Sequence, residues 1–416
     1  MITLSQDEER WLSGAAGRAM QLAMRLMLSA AEATNATEFV PIEFAHINSS
    51  FYSGEISLAF VDFLLAEGGH LAVPTHTNAS LISCTTPELR PLDRTPAEVA
   101  GAERLMQRYE ELGCTPMWSC APYLQPEGRP SLGQHVIGSE SNAVSFFNSV
   151  LGARTNKYGD FLDVCGAMIG RVPHSGLHTD EGRLARHVFR VDEAVINAYS
   201  ARSDTLAHVL GIILGSRSGA LVPVIDGLPA ATEDELKAIA AAGASSGAVE
   251  LFHIVGITPE APTLADALGG RTPAFETLVD LSLVNSTLAS LSTTTEGDVS
   301  AVCLGTPHFS IAEFIDLLSC LDGRSVSDQT VLFVTTSRAV LTELELRRLT
   351  GPLLAAGIQI VLDTCTYYTP KPSGLGELVM TNSAKWAYYA PGILGVDVVF
   401  GGLSDCVEAA VSGHVR

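Results

Sequence analysis

The chain reads as α/β, with strands and helices alternating so that at least part of its sheet structure is parallel. Two observations predict this. Short apolar runs end in small or polar residues and lead into longer helical stretches. The alternation also comes in three successive sets, parted near residue 205 and at the polar stretch Ser292-Thr293-Thr294-Thr295-Glu296-Gly297. A length of 416 residues suits two to three domains at about 150 residues each. The units are therefore drawn at 1–204, 205–296 and 297–416.

Ser5-Gln6-Asp7-Glu8 is a capping box opening a long helix, whose apolar stripe through Trp11, Met20, Met24 and Leu28 runs to about Ala33. Strand candidates follow at Phe39 to Ala45, Leu71 to Pro74 and Thr115 to Ser119, with helices over Ile56 to Gly68 and Thr95 to Leu112. The second set holds apolar runs at His208 to Leu214, Ala220 to Ile225 and Val249 to Val255, with a helix over Thr232 to Ala242. The third holds Ala301 to Leu304, Val331 to Thr335, Ile358 to Asp363 and Val396 to Phe400, each followed by a polar or small-residue turn.

Composition excludes several functions. Lys and Arg number 25 against 46 Asp and Glu, a net charge of −21. Nucleic acid and anionic membrane both need positive surface, which so acidic a chain does not supply. No apolar run approaches the ~18 residues of a membrane span. Asp7, Glu8 and Glu9 stand where a secretory leader would be basic, so the expected compartment is the cytoplasm. Disulfides are not expected there, and none of the eight cysteines forms a CxxC pair. There is no P-loop, HExxH or GxGxxG, and Gly215 to Gly219 has Arg217 where a nucleophile elbow has serine. His174 and His178 have metal-ligand spacing for a helix, but Pro173 and Gly176 argue against a helix.

Three cysteines differ from the rest in position. Cys120, Cys303 and Cys365 each fall at or just beyond a strand candidate. Ligand sites in open α/β sheets form outside the carboxyl ends of strands. Three thiols there could hold an iron–sulfur cluster with one iron open to substrate. The alternative is three buried, inert thiols.

Several segments together resemble the aconitase X family. They are Ala45-His46-Ile47 with Tyr52, Val73-Pro74-Thr75, Gly138-Ser139-Glu140-Ser141-Asn142-Ala143-Val144 and Asn148 through Asn156. The Cys303 and Cys365 segments, Thr381-Asn382-Ser383-Ala384-Lys385-Trp386-Ala387 and the closing Phe400-Gly401-Gly402-Leu403-Ser404-Asp405-Cys406 complete the resemblance, which spans essentially the whole chain. It implies an aconitase-like fold of three α/β/α domains around a central cleft. It also implies a fourth, swivelling domain that is expected to be absent from this chain and supplied by a separate small subunit. The family's activities are dehydrations, of cis-3-hydroxy-L-proline in bacteria and of phosphomevalonate in archaea. Carried over residue by residue, Cys120, Cys303 and Cys365 are the cluster ligands, of a two-iron or four-iron cluster. Glu140, Ser141 and Lys385 are catalytic, with Lys385 also binding substrate alongside Ser49, Ser50 and Asn78.

The residue types suit that chemistry. Expelling hydroxide from a hydroxy acid needs a Lewis acid on the departing oxygen and a base for the α-proton. Lys385 offers an anion anchor, and Glu140 an acid–base group. Glu140, Ser141 and Asn142 read equally as a helix N-terminus. In related aconitases the base is a serine of the swivelling domain, which would place it outside this chain. Archaeal phosphomevalonate enzymes carry Gly-Val-Ser where this chain reads Ser49-Ser50-Phe51. Phenylalanine in place of a phosphate-binding serine favours cis-3-hydroxy-L-proline, converted to Δ1-pyrroline-2-carboxylate, over phosphomevalonate. A catalytically inactive binding or scaffold subunit is the alternative of another class.

Overall fold

The computed structural model describes residues 2–90 and 96–415. The N-terminal capping box forms as read: Ser5 N donates to the Glu8 carboxylate at 2.8 Å, and Ser5 Oγ accepts from Glu8 N. The single long helix expected after it is instead two, Gln6–Ser13 and Arg18–Ala33. Gly14 and Gly17, both at positive φ, end one and turn the chain into the next.

Three all-parallel sheets carry the structure. The first has the order Thr75–Thr77, Ala45–Ile47, Ile137–Gly138. Its strand after Leu71 starts only at Thr75. The expected strand Thr115 to Ser119 reduces to one parallel bridge, Thr115 to His76. Met117 N and Trp118 N instead donate to Thr77 Oγ1 at 3.0 and 3.1 Å. Trp118 is buried at φ 45, a conformation that is costly for a bulky side chain, and it turns the chain toward Cys120.

The second sheet has the order His253–Ile254, Pro223–Asp226, His187–Val191, Phe275–Val279. Its strand His187–Val191 precedes residue 205, so this sheet reaches back into the stretch read as the first unit. The run His208 to Leu214, read as a strand, lies within the helix Ser203–Ser218. That helix is buried on nearly every side, so its apolar residues lose the helical period and imitate a strand.

The third sheet has five strands in the order Ile358–Leu362, Val331–Thr336, Ala301–Phe309, Leu378–Thr381, Asp397–Phe400. The central strand is buried along its whole length, as expected of a parallel strand covered on both faces. One apolar core joins the units, running from Phe44 and Phe147 through Leu210 and Phe252 to Val379 and Trp386. The sheets therefore do not move as independent bodies without exposing that core. Among the described residues no helix is long and apolar enough to cross a membrane.

Helices Ser203–Ser218 and Glu233–Gly247 pack with backbones in close approach. Gly211 and Gly215 on one face Gly243 and Gly247 on the other, and a Cβ on Gly247 would collide with the Gly215 carbonyl. Gly247→Ala should push the helices apart and cost about 1–3 kcal/mol, the usual penalty of overpacking. A urea unfolding midpoint would show the loss. Gly351→Ala, where a Cβ meets nothing within 4 Å, should leave the midpoint unchanged or slightly raised.

Candidate active site

Carboxyl ends of strands in the first and third sheets meet at one buried group. Cys120 follows the turn at Trp118, whose next residue, Ser119, has its carbonyl 2.9 Å from His46 Nε2. Cys365 lies just beyond the strand Ile358–Leu362. It follows Asp363, which has φ 69 and is clamped by Arg338 at 2.7 and 3.0 Å. The Cys365 carbonyl accepts from the buried Arg90 Nη2 at 2.7 Å. Backbone held on this many sides delivers the two sulfurs to 3.9 Å from each other.

The third member of the group is His308. A ring nitrogen of His308 and the sulfurs of Cys120 and Cys365 all lie within 4.8 Å of one another, and all three residues are buried. Its Nδ1 is 3.0 Å from Ser119 Oγ and its Nε2 is 3.2 Å from the Thr364 carbonyl. The sequence reading missed His308 because it ended the strand near Leu304. The strand continues to Phe309 through a register shift between Leu304 and Phe309, with Gly305 at φ 85. His308, not Cys303, is therefore at the strand's carboxyl end.

Cys303 sits in the body of that strand, paired with Phe333 and Thr381, and its carbonyl accepts from Thr381 Oγ1 at 2.7 Å. It does not complete a group of the 4.8 Å kind with Cys120 and Cys365. Burial pushes its thiol up to about 12, against a small opposing effect of Thr366. Cys120 behaves otherwise. Burial raises it, but the Cys365 thiol, His308 and Lys385 together outweigh that and hold Cys120 low. Cys365 is held high, chiefly by the hydrogen bond it makes to Cys120.

Beside this group lies a pocket of about 610 Å³. Glu140, Ser141 and Lys385 line it, with aromatic walls from Phe51, Tyr367 and Tyr368. Lys385 Nζ donates to Glu140 Oε1 at 2.5 Å, joining the third sheet's unit to the first. Glu140 caps the helix Ser141–Ser149 and Ser383 caps the helix Ala384–Leu394, so two helix N-termini converge here. Asn142 binds the halves together: its Nδ2 donates to the Cys120 carbonyl and to Glu140 Oε1, both at 2.8 Å. Its Oδ1 accepts from Tyr123 OH at 2.6 Å.

Ser49, Ser50 and Asn78 do not line this pocket. Ser49 Oγ donates to the Asp163 carboxylate and accepts from Phe161 N. Ser50 Oγ donates to the Ile47 carbonyl at 3.3 Å, and Asn78 Nδ2 donates to Asn48 Oδ1 at 2.7 Å. His174 and His178 do not share a helix. His178 lies 2.9 Å from His135 Nδ1 and 2.8 Å from Tyr158 OH, whereas His174 pairs with Glu38.

Known proteins resemble this chain along nearly its whole length. Family models for the first, second and third domains of aconitase X match residues 1–181, 185–288 and 299–412. A cis-3-hydroxy-L-proline dehydratase of Pseudomonas aeruginosa is 38% identical over 415 residues, covering 99% of this chain and 70% of the relative. The chain belongs to the aconitase X family. A phosphomevalonate dehydratase large subunit of Methanosarcina mazei, also similar, is 29% identical and is matched over 98% of its length. The holo-form crystal structure of Thermococcus kodakaraensis aconitase X superposes with a TM-score of 0.87. It is 26% identical, and the match covers 98% of this chain and all of that one. The aconitase-like α/β architecture expected from the resemblance is the one observed.

The ion pair makes this aconitase X site sensitive to charge. Burial alone would raise the Glu140 carboxyl, yet Lys385 and Asn142 hold it down at about 2. Lys385→Ala should cost about 3–5 kcal/mol, because it strands a buried carboxylate. The double variant Glu140→Gln/Lys385→Met should recover most of that. A depressed carboxyl stabilises the fold above its ordinary value of 4.5, and the benefit is lost as pH falls toward about 2. Urea unfolding should therefore show the wild-type advantage over the double variant shrinking from pH 6 to pH 3.

Proposed function

We propose that this chain is the catalytic part of an iron–sulfur-dependent dehydratase. It converts cis-3-hydroxy-L-proline to Δ1-pyrroline-2-carboxylate and water. The observation that carries the substrate is the charge of the pocket. Lys385 is its one cationic lining residue among the described residues and is already paired, while Glu98 and Glu140 both face the space. A phosphate dianion needs a surplus of Arg, Lys or free amide donors. A small zwitterion does not: its carboxylate suits Lys385, and its secondary ammonium suits the carboxylates and tyrosine hydroxyls. Phe51, edge-on to Tyr368 at 5.0 Å, closes the wall where a phosphate-binding serine was the alternative. The 38% identity to a cis-3-hydroxy-L-proline dehydratase, against 29% to a phosphomevalonate large subunit, points the same way.

The donors fit a cluster. Cys120 and Cys365 present unbridged sulfurs at 3.9 Å, one of them poised as a thiolate, which is the ligand form. The third ligand is Cys303 by family resemblance, and His308 stands within reach by geometry. When bound, the cluster supplies a Lewis-acidic iron for the departing hydroxyl. Lys385 neutralises and orients the substrate carboxylate, which also acidifies the adjacent α-proton. Glu140, freed from Lys385 as the substrate carboxylate replaces it, holds the hydroxyl or exchanges its proton. Ser141, next to Glu140 on the pocket wall, hydrogen-bonds the substrate. The aromatic walls limit the water that enters.

The α-proton base lies on a small swivelling domain that covers the pocket, supplied as a separate subunit. The end-to-end match to proteins named large subunits supports that arrangement. The chain works in the cytoplasm, where its thiols stay reduced.

Anaerobically purified protein with its small subunit should be coloured and should dehydrate cis-3-hydroxy-L-proline. Lys385→Ala should lower kcat/KM roughly ten- to a hundredfold, the worth of a charged hydrogen bond, while iron content stays. Cys365→Ser should lose iron and activity together. Dehydration of phosphomevalonate instead would overturn the substrate, and a colourless protein inert on both would favour the scaffold reading.

A further inference from the structure

The buried carboxylate of Asp163 has no role in the chemistry above, and its surroundings are unusual. Asp163 is fully buried in the first turn of the helix Leu162–Ile169. It accepts from Asn48 N at 2.7 Å, from Ser49 N at 3.1 Å and from Ser49 Oγ, besides Val164 N of its own helix at 2.6 Å. Among the described residues no Lys or Arg forms an ion pair with it. Four protein donors thus replace a counter-ion, and three of them belong to two consecutive residues. Burying a carboxylate without a cation is costly unless each lone pair is used.

What those two residues hold is the pocket wall. Phe51, Tyr52, Ser53 and Gly54 line the pocket and are joined to Ser49 through Ser50 alone. The anchoring is doubled on each side. Ser49 Oγ also accepts from Phe161 N at 2.7 Å, and Phe161 is itself at φ 73. Asn48 Nδ2 donates to Asp160 Oδ1 at 2.8 Å, and Asn48 Oδ1 accepts from Asn78 Nδ2 at 2.7 Å.

We infer that Asp163 is a positioning residue for substrate binding: through Asn48 and Ser49 it fixes the segment whose next residues form the aromatic wall of the pocket. Ser49 and Asn78 then serve the substrate indirectly, as parts of this anchor. The wall is fixed at its N-terminal end by charge-assisted bonds, which leaves Phe51 and Tyr52 preset for the substrate.

The inference rests on the substrate reading for its kinetic test but not for its structural one. Asp163→Ala should raise KM for cis-3-hydroxy-L-proline roughly tenfold or more, with kcat changed less than about threefold, the signature of lost binding. Asp163→Asn keeps one acceptor oxygen for the two amides and should fall between Asp163→Ala and wild type. Backbone amide exchange over residues 47–54 should quicken at least about tenfold in Asp163→Ala. Gly247→Ala, a destabilised variant on a helix that takes no part in this anchor, should leave that exchange unchanged. Ser49→Ala, which leaves the Asp163 carboxylate in place, should shift both readouts in the same direction by less, and serves if Asp163→Ala does not fold. Unchanged exchange over 47–54 in the anchor variants, or exchange there that quickens equally in Gly247→Ala, would overturn the inference. If wild type is inactive on cis-3-hydroxy-L-proline, the substrate reading fails, and the exchange measurement still decides whether Asp163 holds the wall.

Discussion

A single buried ion pair sets the terms for the rest of the site. Lys385 and Glu140 come from units far apart in the chain, and neither is tolerable inside a protein without the other. Their pairing fixes the distance between the helices Ser141–Ser149 and Ala384–Leu394, and with it the width of the pocket. Asn142 then extends the constraint from Glu140 to the Cys120 carbonyl. Lys385 also adds, after the Cys365 thiol and His308, to what holds the Cys120 thiol low against burial and against Glu140.

Two of the backbone positions at positive φ stand beside the buried thiols. Trp118 and Asp363, both at positive φ, stand two residues before Cys120 and Cys365. Each is held by partners that overdetermine it: Thr77 and His46 around the first, Arg338 and Arg90 around the second. The Cys365 thiol follows the strand Ile358–Leu362, and the Cys120 thiol only the single bridge at Thr115. The turns re-aim them toward each other, and the surrounding hydrogen bonds offset the conformational cost.

The parallel α/β character was legible because covered strands are apolar and end in small polar residues. The convergence of Cys120 and Cys365 beside Glu140 and Lys385 followed from the same feature, since strand ends gather at one edge. What misled was local chemistry that sequence does not display. His208 to Leu214 looks like a strand because a helix packed on all sides loses its periodicity. His308 was hidden by a bulge at Gly305 that prolongs the strand past an apparent stop. Ser49 and Asn78 look like ligand-binding polar residues, but the Ser49 hydroxyl is spent on Asp163 and Phe161, and the Asn78 amide nitrogen on Asn48. A polar side chain in a family motif does not reveal whether it faces the ligand or the scaffold.

The site's division between the two ends of the chain also bears on how the protein is made. Synthesis proceeds from the N-terminus, and the earlier part of the chain folds first. Cys120 and Glu140 then leave the ribosome long before Cys365 and Lys385 exist. During that interval Glu140 has no counter-charge and Cys120 no second sulfur beside it, although the buried apolar cluster around the first sheet comes from residues 19–172. A nascent chain stalled before Lys385 would carry Glu140 as a carboxylate without its partner, a defect that the cell's quality control can meet.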